Sequence, residues 1–85
     1  SSIKTLASGT FKLYPNPAKD LLKVSLNGLQ KARVTLYNQI GIVSLQQELN
    51  AKETNLDLQA LPSGVYFITI SADGKSATEK VVIQH

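Results

Sequence analysis

Val65-Tyr66-Phe67-Ile68-Thr69-Ile70, followed by Asp73-Gly74 and then by Thr78-Glu79-Lys80-Val81-Val82-Ile83, is the stretch on which the fold turns. Its first segment is aromatic or β-branched throughout, which suits a pleated, half-buried surface. Asp-Gly is the strongest short signal for a two-residue hairpin, because both positions accept positive φ and the turn then matches the twist of its strands. Beyond it, Val81 and Ile83 alternate with Lys80 and Val82. The reading is an antiparallel hairpin whose first strand is central in a sheet and whose second lies at an edge.

Working upstream, Leu61-Pro62-Ser63-Gly64-Val65-Tyr66 has the form of a tyrosine corner, in which a Tyr near the start of a late strand bonds back to the chain that crosses between sheets. On that reading Tyr66 is structural. Asn55 to Leu58 forms a short strand with Leu56 and Leu58 inward, and Asn50 to Glu53 is a polar connection. Val43, Leu45 and Gln47 are expected on one face of a strand ending near Leu49. Val34 and Leu36 face one way, with Arg33, Thr35 and Tyr37 the other, before a turn at Asn38-Gln39-Ile40-Gly41 in which Gly41 takes positive φ. Leu22, Val24 and Leu26 make a half-buried strand closed by Asn27-Gly28. Phe11 to Tyr14 is the first full strand, stopped by Pro15-Asn16-Pro17, where two prolines remove ladder donors and fix the backbone.

Period-two alternation broken by turns at short intervals predicts an all-β chain, an immunoglobulin-like antiparallel β-sandwich of about seven strands. The Leu-Gln-Lys-Ala-Arg stretch after Gly28 and Leu45-Gln-Gln-Glu-Leu could pass for helical turns, but Gly or β-branched residues flank each. Residues 1–10 read as a flexible lead-in and residues 11–85 as the domain. The chain opens on Ser1 rather than Met, which suggests a processed product or a piece of a larger protein.

Composition narrows the function. The chain has 85 residues, 42% of them hydrophobic, with no Cys, Met or Trp. A domain of this size buries only about 60% of its extended-chain surface, which leaves little room for a deep catalytic cleft. Without cysteine there is no disulfide framework, thiolate nucleophile or zinc–thiolate site. The single histidine is His85, so no carboxylate among Asp20, Asp57, Asp73, Glu48, Glu53 and Glu79 has a partner for acid–base work at a strand end or turn. Neither a catalytic residue, a metal site nor a cofactor is expected. The apolar runs fall far short of the roughly 20 residues that span a bilayer, and no charged-then-apolar leader opens the chain. A formal charge of +3 comes from scattered lysines and one arginine, Arg33, a pattern without the basic cluster that nucleic-acid binding needs. Phe11, Tyr14, Tyr37 and Phe67 read as core filling rather than as an exposed row for stacking on sugars.

The order of particular residues goes further. Tyr14-Pro15-Asn16-Pro17 with Leu22-Lys23-Val24, then Val34-Thr35-Leu36-Tyr37-Asn38 with Gly41, then Leu61-Pro62-Ser63-Gly64-Val65-Tyr66-Phe67-Ile68-Thr69-Ile70, then Lys80-Val81-Val82-Ile83, resembles the type A C-terminal sorting domain of the type IX secretion system over roughly residues 11–84. The resemblance implies a β-sandwich on the C-terminus of a secreted cargo protein of a Bacteroidetes-type bacterium. It implies passage through the periplasm, recognition by the outer-membrane translocon, and removal by a surface sortase of gingipain-like cysteine-peptidase type, leaving the cargo at the cell surface or outside. The cleavage position would fall in the lead-in, at or before residues 1–10. In this reading the domain is an address, not a catalyst.

Carried over residue by residue, the sorting motif comprises Tyr14, Pro15, Asn16, Pro17, Gly41, Leu61, Gly64, Tyr66, Lys80, Val81 and Val82. Pro15 to Pro17 would fix the opening turn, Gly41 and Gly64 the turn geometry, and Lys80 a direct contact. An unpaired edge on the last strand would let a receptor add its own strand by backbone hydrogen bonds, and edge strands also offer a route to a dimer. The alternatives from the same residues are a carbohydrate-binding or adhesive β-sandwich module of a secreted enzyme, and a passive spacer of fibronectin type III kind.

Overall fold

The computed structural model describes residues 4–5, 10–28 and 30–85. Every regular element among them is a strand: β1 Lys4–Thr5, β2 Phe11–Tyr14, β3 Leu21–Leu26, β4 Ala32–Asn38, β5 Val43–Leu49, β6 Glu53–Asp57, β7 Gly64–Ala72 and β8 Lys75–Ile83. They form a five-stranded sheet in the order β1-β8-β7-β4-β5 and a three-stranded sheet in the order β2-β3-β6. The ladders of β2 to β8 are all antiparallel. The two-residue β1 joins β8 in parallel. The rest of the lead-in, residues 1–3 and 6–9, lies outside the described residues, as does Leu29.

The core follows from the alternation. Leu22, Val24 and Leu26 of β3 face Val34 and Leu36 of β4, Ile68 and Ile70 of β7 and Val81 and Ile83 of β8, all at most 1% exposed. Side chains of the two inner faces interdigitate as in any sheet-on-sheet packing. Leu56 lies in β6 and Leu58 just beyond it, both fully buried; the strand begins two residues earlier and ends one earlier than the Asn55 to Leu58 of the sequence reading. No polar or charged residue is buried among those described, so apolar packing and backbone pairing carry the stability.

The β7–β8 hairpin closes as its Asp-Gly pair requires, with Asp73 at φ 53° and Gly74 at φ 74°, both in the left-handed region that a primed turn uses. β7 lies between β4 and β8, the central place its composition predicts.

One facing is different from the sequence reading. The β4–β5 register shifts between Leu36 and Tyr37, so that Leu45 opposes Leu36 while Val43 opposes Tyr37. The extra residue, Ser44, makes a bulge that reverses the alternation. Leu45 therefore packs against the core, and Val43 lies with Tyr37 on the outer face, 56% exposed.

Candidate functional site

β8 is nine residues long, about 26 Å at ~3.3 Å per residue, and its direction gives the sandwich two distinct poles. At the pole where β8 begins lie the Asp73-Gly74 turn and the parallel pairing of Lys4 with Lys75. At the pole where it ends, the β2–β3 connection, the β4–β5 turn, the chain from Leu58 to Ser63 and the last residues of β8 come together.

The Pro15-Asn16-Pro17 segment does more than stop β2. The Asn16 side-chain amide donates to the Lys80 carbonyl at 3.2 Å and its Oδ1 accepts from the Val82 N–H at 3.2 Å. Two residues on, the Ala18 N–H donates to the Val82 carbonyl at 2.8 Å, and the Gln84 N–H donates to the Ala18 carbonyl at 2.8 Å. Asn16 and Ala18 thus act as a short parallel strand along the outer edge of β8, with Ala18 opposite Ile83 and fully buried. The flanking peptide bonds, Tyr14-Pro15 and Asn16-Pro17, are both cis.

This corrects the expectation of an open final edge. β1 covers β8 at Lys75 and Ser76, and the Asn16–Ala18 segment covers it from Lys80 to Gln84. Backbone groups already paired have nothing left to offer an incoming strand. The sequence showed the turn but not where the Asn16 amide would reach.

The corner follows its expected geometry: the Tyr66 hydroxyl donates to the Pro62 carbonyl at 2.8 Å, with the ring in the core. Leu61 packs against the core from the same corner. His85 is tied in here as well, its N–H donating to Ser63 Oγ at 3.0 Å, its Nε2 donating to the Leu61 carbonyl at 2.6 Å, and its Nδ1 lying 3.5 Å from Asp20 Oδ1. Asp20, expected to have no histidine beside it, thus has His85 as a neighbour, and His85 ties β8, the corner and the β2–β3 connection together.

The neighbouring β4–β5 turn is organised by Asn38. Its Oδ1 accepts from the N–H groups of Ile40 and Ile42 at 3.1 and 3.0 Å, its carbonyl accepts from the Gly41 N–H, and its own N–H donates to the Ile42 carbonyl, both at 3.0 Å. Gly41 sits at φ 92°, a conformation that side-chain-bearing residues adopt only with strain. Asn38, Ser63, Gly64 and Tyr66 with Ile40 line a shallow open depression of about 260 Å³ between this turn and the corner.

The structure thus brings the residues expected to form the sorting motif, from Tyr14 to Val82, to one pole. Tyr66 and Val81 are buried, Lys80 is exposed, and Val82 is half-buried on the outer face. The aromatic rings are spread otherwise than expected. Phe11 packs against the core, but Tyr37 and Phe67 stack on the outer face with centroids 6.1 Å apart, and Tyr14 is 40% exposed on the opposite sheet. Their positions next to Leu36 and Ile68 put Tyr37 and Phe67 out of phase with the core, so alternation overrides the preference of aromatics for burial. The rings lie on two sheets and make no single platform for a sugar.

Among the described residues no group of three or more His, Cys, Asp or Glu side chains is placed to share a metal ion. What the pole offers is turn geometry, tied backbone and exposed apolar side chains.

Residues 12–84 match the family described as the secretion system C-terminal sorting domain. The chain belongs to that family. It is a type IX secretion sorting domain of a Bacteroidetes-type secreted protein. Two relatives are similar to it over 73 residues each: ulvan lyase NLR42 of Nonlabens ulvanivorans at 29% identity, and β-agarase D of Zobellia galactanivorans at 34%. These matches cover 84% and 85% of the sorting domain and 14% of each relative. The sorting domain therefore spans about a seventh of the length of those relatives. In fold it is similar to part of PorZ, a bacterial surface component of the type-IX secretion system of Porphyromonas gingivalis, with a TM-score of 0.73 at 19% identity over 92% of this chain and 13% of that one.

Proposed function

We propose that this sorting domain takes an N-terminally attached cargo from the periplasm through the type IX outer-membrane translocon, and that a surface sortase then removes it in the lead-in, leaving the cargo on the cell surface or in the medium. The observation that carries the reading is the gathering of Tyr14 to Pro17, Gly41, Leu61, Gly64, Tyr66 and Lys80 to Val82 at one pole, within a chain whose family match runs over residues 12–84. The relatives are enzymes by name and the match takes up a small part of each, which supports an appendage on a larger protein whose chemistry lies elsewhere.

The two poles suit two separate encounters. β1 pairs with β8 at the Asp73-Gly74 pole, so a translocon component holding the motif pole stays clear of that strand, upstream of which a peptidase would act. The β8 edge is paired at Lys75 and Ser76 and again from Lys80 to Gln84, so recognition works through side chains, and any dimer by edge pairing uses an outer strand of either sheet: β5, β2, β6 or the short β1.

The test is a periplasm-directed fluorescent reporter fused ahead of the chain, expressed in an intact type IX host, in a translocon-deficient strain and in a strain lacking the surface sortase. Surface or medium fluorescence in the first, periplasmic retention in the second and an untrimmed product in the third are expected. Equal export in the first two strains contradicts the translocon step, and trimming in the third contradicts the sortase step.

A further inference from the structure

The outer face of the five-stranded sheet is divided along its length. Toward the Asp73-Gly74 pole it is polar and satisfied within itself: Arg33 pairs with Glu48 at 2.7 Å, Gln46 Nε2 donates to Thr35 Oγ1 at 3.1 Å, and the hydroxyls of Thr69 and Thr78 lie 2.9 Å apart. Toward the motif pole the same face becomes apolar. One register row runs Val43, Tyr37, Phe67, Lys80 across four strands, and the next pairs Val65 with Val82. Beyond the row, the Asn38-clamped turn holds out Ile40 and Ile42, which are 79% and 57% exposed.

Apolar side chains grouped at a polar margin mark an interaction surface. This group is also held in place before any partner arrives. The Tyr37 hydroxyl is bonded to Thr69 Oγ1 at 3.2 Å, the Tyr37 and Phe67 rings brace each other, and the turn is fixed by Asn38 and Gly41. Ordering costs on binding are small for such anchors.

We propose that Ile40, Ile42, Val43, the Tyr37–Phe67 pair and Lys80 form a docking surface for a folded protein partner that presents an apolar groove with a carboxylate at its margin. The inference rests on the sorting reading and names the surface by which the domain is recognised. Charge sets the partner's chemistry: Lys80 closes the apolar row, and no carboxylate among the described residues pairs with it. A lipid surface fits less well, since apolar tips that enter membranes are ringed by several cations, whereas residues 38–43 carry none.

The experiment uses the reporter fusion with Ile40→Asn/Ile42→Asn, the milder Ile42→Ser, Lys80→Glu, Lys80→Arg, and a control on the other half of the face, Arg33→Gln/Glu48→Gln. Each purified fusion is checked by thermal melting and by co-sedimentation with vesicles of phosphatidylethanolamine and phosphatidylglycerol. Export is expected to fall at least about tenfold for the double isoleucine variant and for Lys80→Glu, the scale of losing one interface hot spot. It should fall less for Ile42→Ser, fall less for Lys80→Arg than for Lys80→Glu because the positive charge is kept, and stay at the parent level for the control, with unchanged melting. A folded isoleucine double variant or Ile42→Ser exported like the parent overturns the proposal. So does vesicle binding that the isoleucine changes abolish, which would make the patch a membrane contact. Equal export of the parent fusion with and without the translocon brings down the sorting reading itself, a result distinct from failure of the surface.

Discussion

Asn16 and Val82, 66 residues apart, are joined at 3.2 Å by a hydrogen bond from the Val82 N–H to the Asn16 side chain, whose own amide group reaches the Lys80 carbonyl. One side chain thereby stands in for a strand of backbone and closes half an edge that would otherwise be open to pairing. Asn16→Ala removes both bonds from an exposed edge that water can re-satisfy, so the expected loss is about 1–2 kcal/mol in urea unfolding. An unchanged midpoint would show that the two bonds add nothing beyond what Ala18 supplies.

Tyr66→Phe deletes the hydroxyl that donates to the Pro62 carbonyl and leaves the ring in the core. The expected cost is about 1 kcal/mol, read by chemical denaturation, with the unfolding slope unchanged because the same surface is buried. A cost below a few tenths would mean the corner is held by Leu61 packing alone.

Burial separates the two sides of the sheet. Leu36→Ala empties a fully buried site facing β3 and costs about 2–5 kcal/mol, a large share of what a domain this small can hold. Ile40→Ala, on an exposed turn, should change the unfolding midpoint within the roughly 0.5 kcal/mol typical of surface positions. Equal effects at the two sites would contradict the assignment of inner and outer faces.

At Gly41 nothing lies within 4 Å of where a Cβ would stand, so substitution there tests backbone conformation alone. Gly41→Ala should cost about 1–2 kcal/mol for a side chain forced into the left-handed region, and Gly41→Asn distinctly less. The comparison is made by thermal melting of the two variants; equal melting would show that the turn relaxes to negative φ.

The Arg33–Glu48 pair has both side chains more than half exposed. A double-mutant cycle should return about 0.2–1 kcal/mol of coupling, fading as salt is raised. A larger, salt-insensitive value would indicate shielding that the geometry does not show.

Much of this fold is legible in the chain because local chemistry and tertiary demand agree. Phe11–Tyr14 is bounded by proline, and Leu22, Val24 and Leu26 alternate cleanly. Asp73-Gly74 specifies its own turn, and the run from Val65 to Ile70 belongs at the centre of a sheet. What escaped was non-local. No periodicity shows that the Asn16 amide lands on β8, because side-chain reach across 64 or more residues of sequence is a product of the finished fold. The bulge at Ser44 was hidden for a related reason: Val43 and Leu45 have the spacing of one face, and only the register against Leu36 and Tyr37 separates them. Tyr37 and Phe67 are a different case, since their phase against Leu36 and Ile68 already placed them outside. The general tendency of aromatics toward the core obscured it. Ile40 read as a turn residue and Ile42 carried no signal of its own, and the meaning of both depends on the apolar row that the sheet brings beside them.

The most direct test of the central claim is the fraction of a folded reporter–sorting domain fusion that reaches the surface and medium, measured by pulse-chase fractionation in type IX-competent and translocon-deficient hosts. Export confined to the competent host is the result expected. Retention in the periplasm of both, with the domain folded in each, would contradict the account.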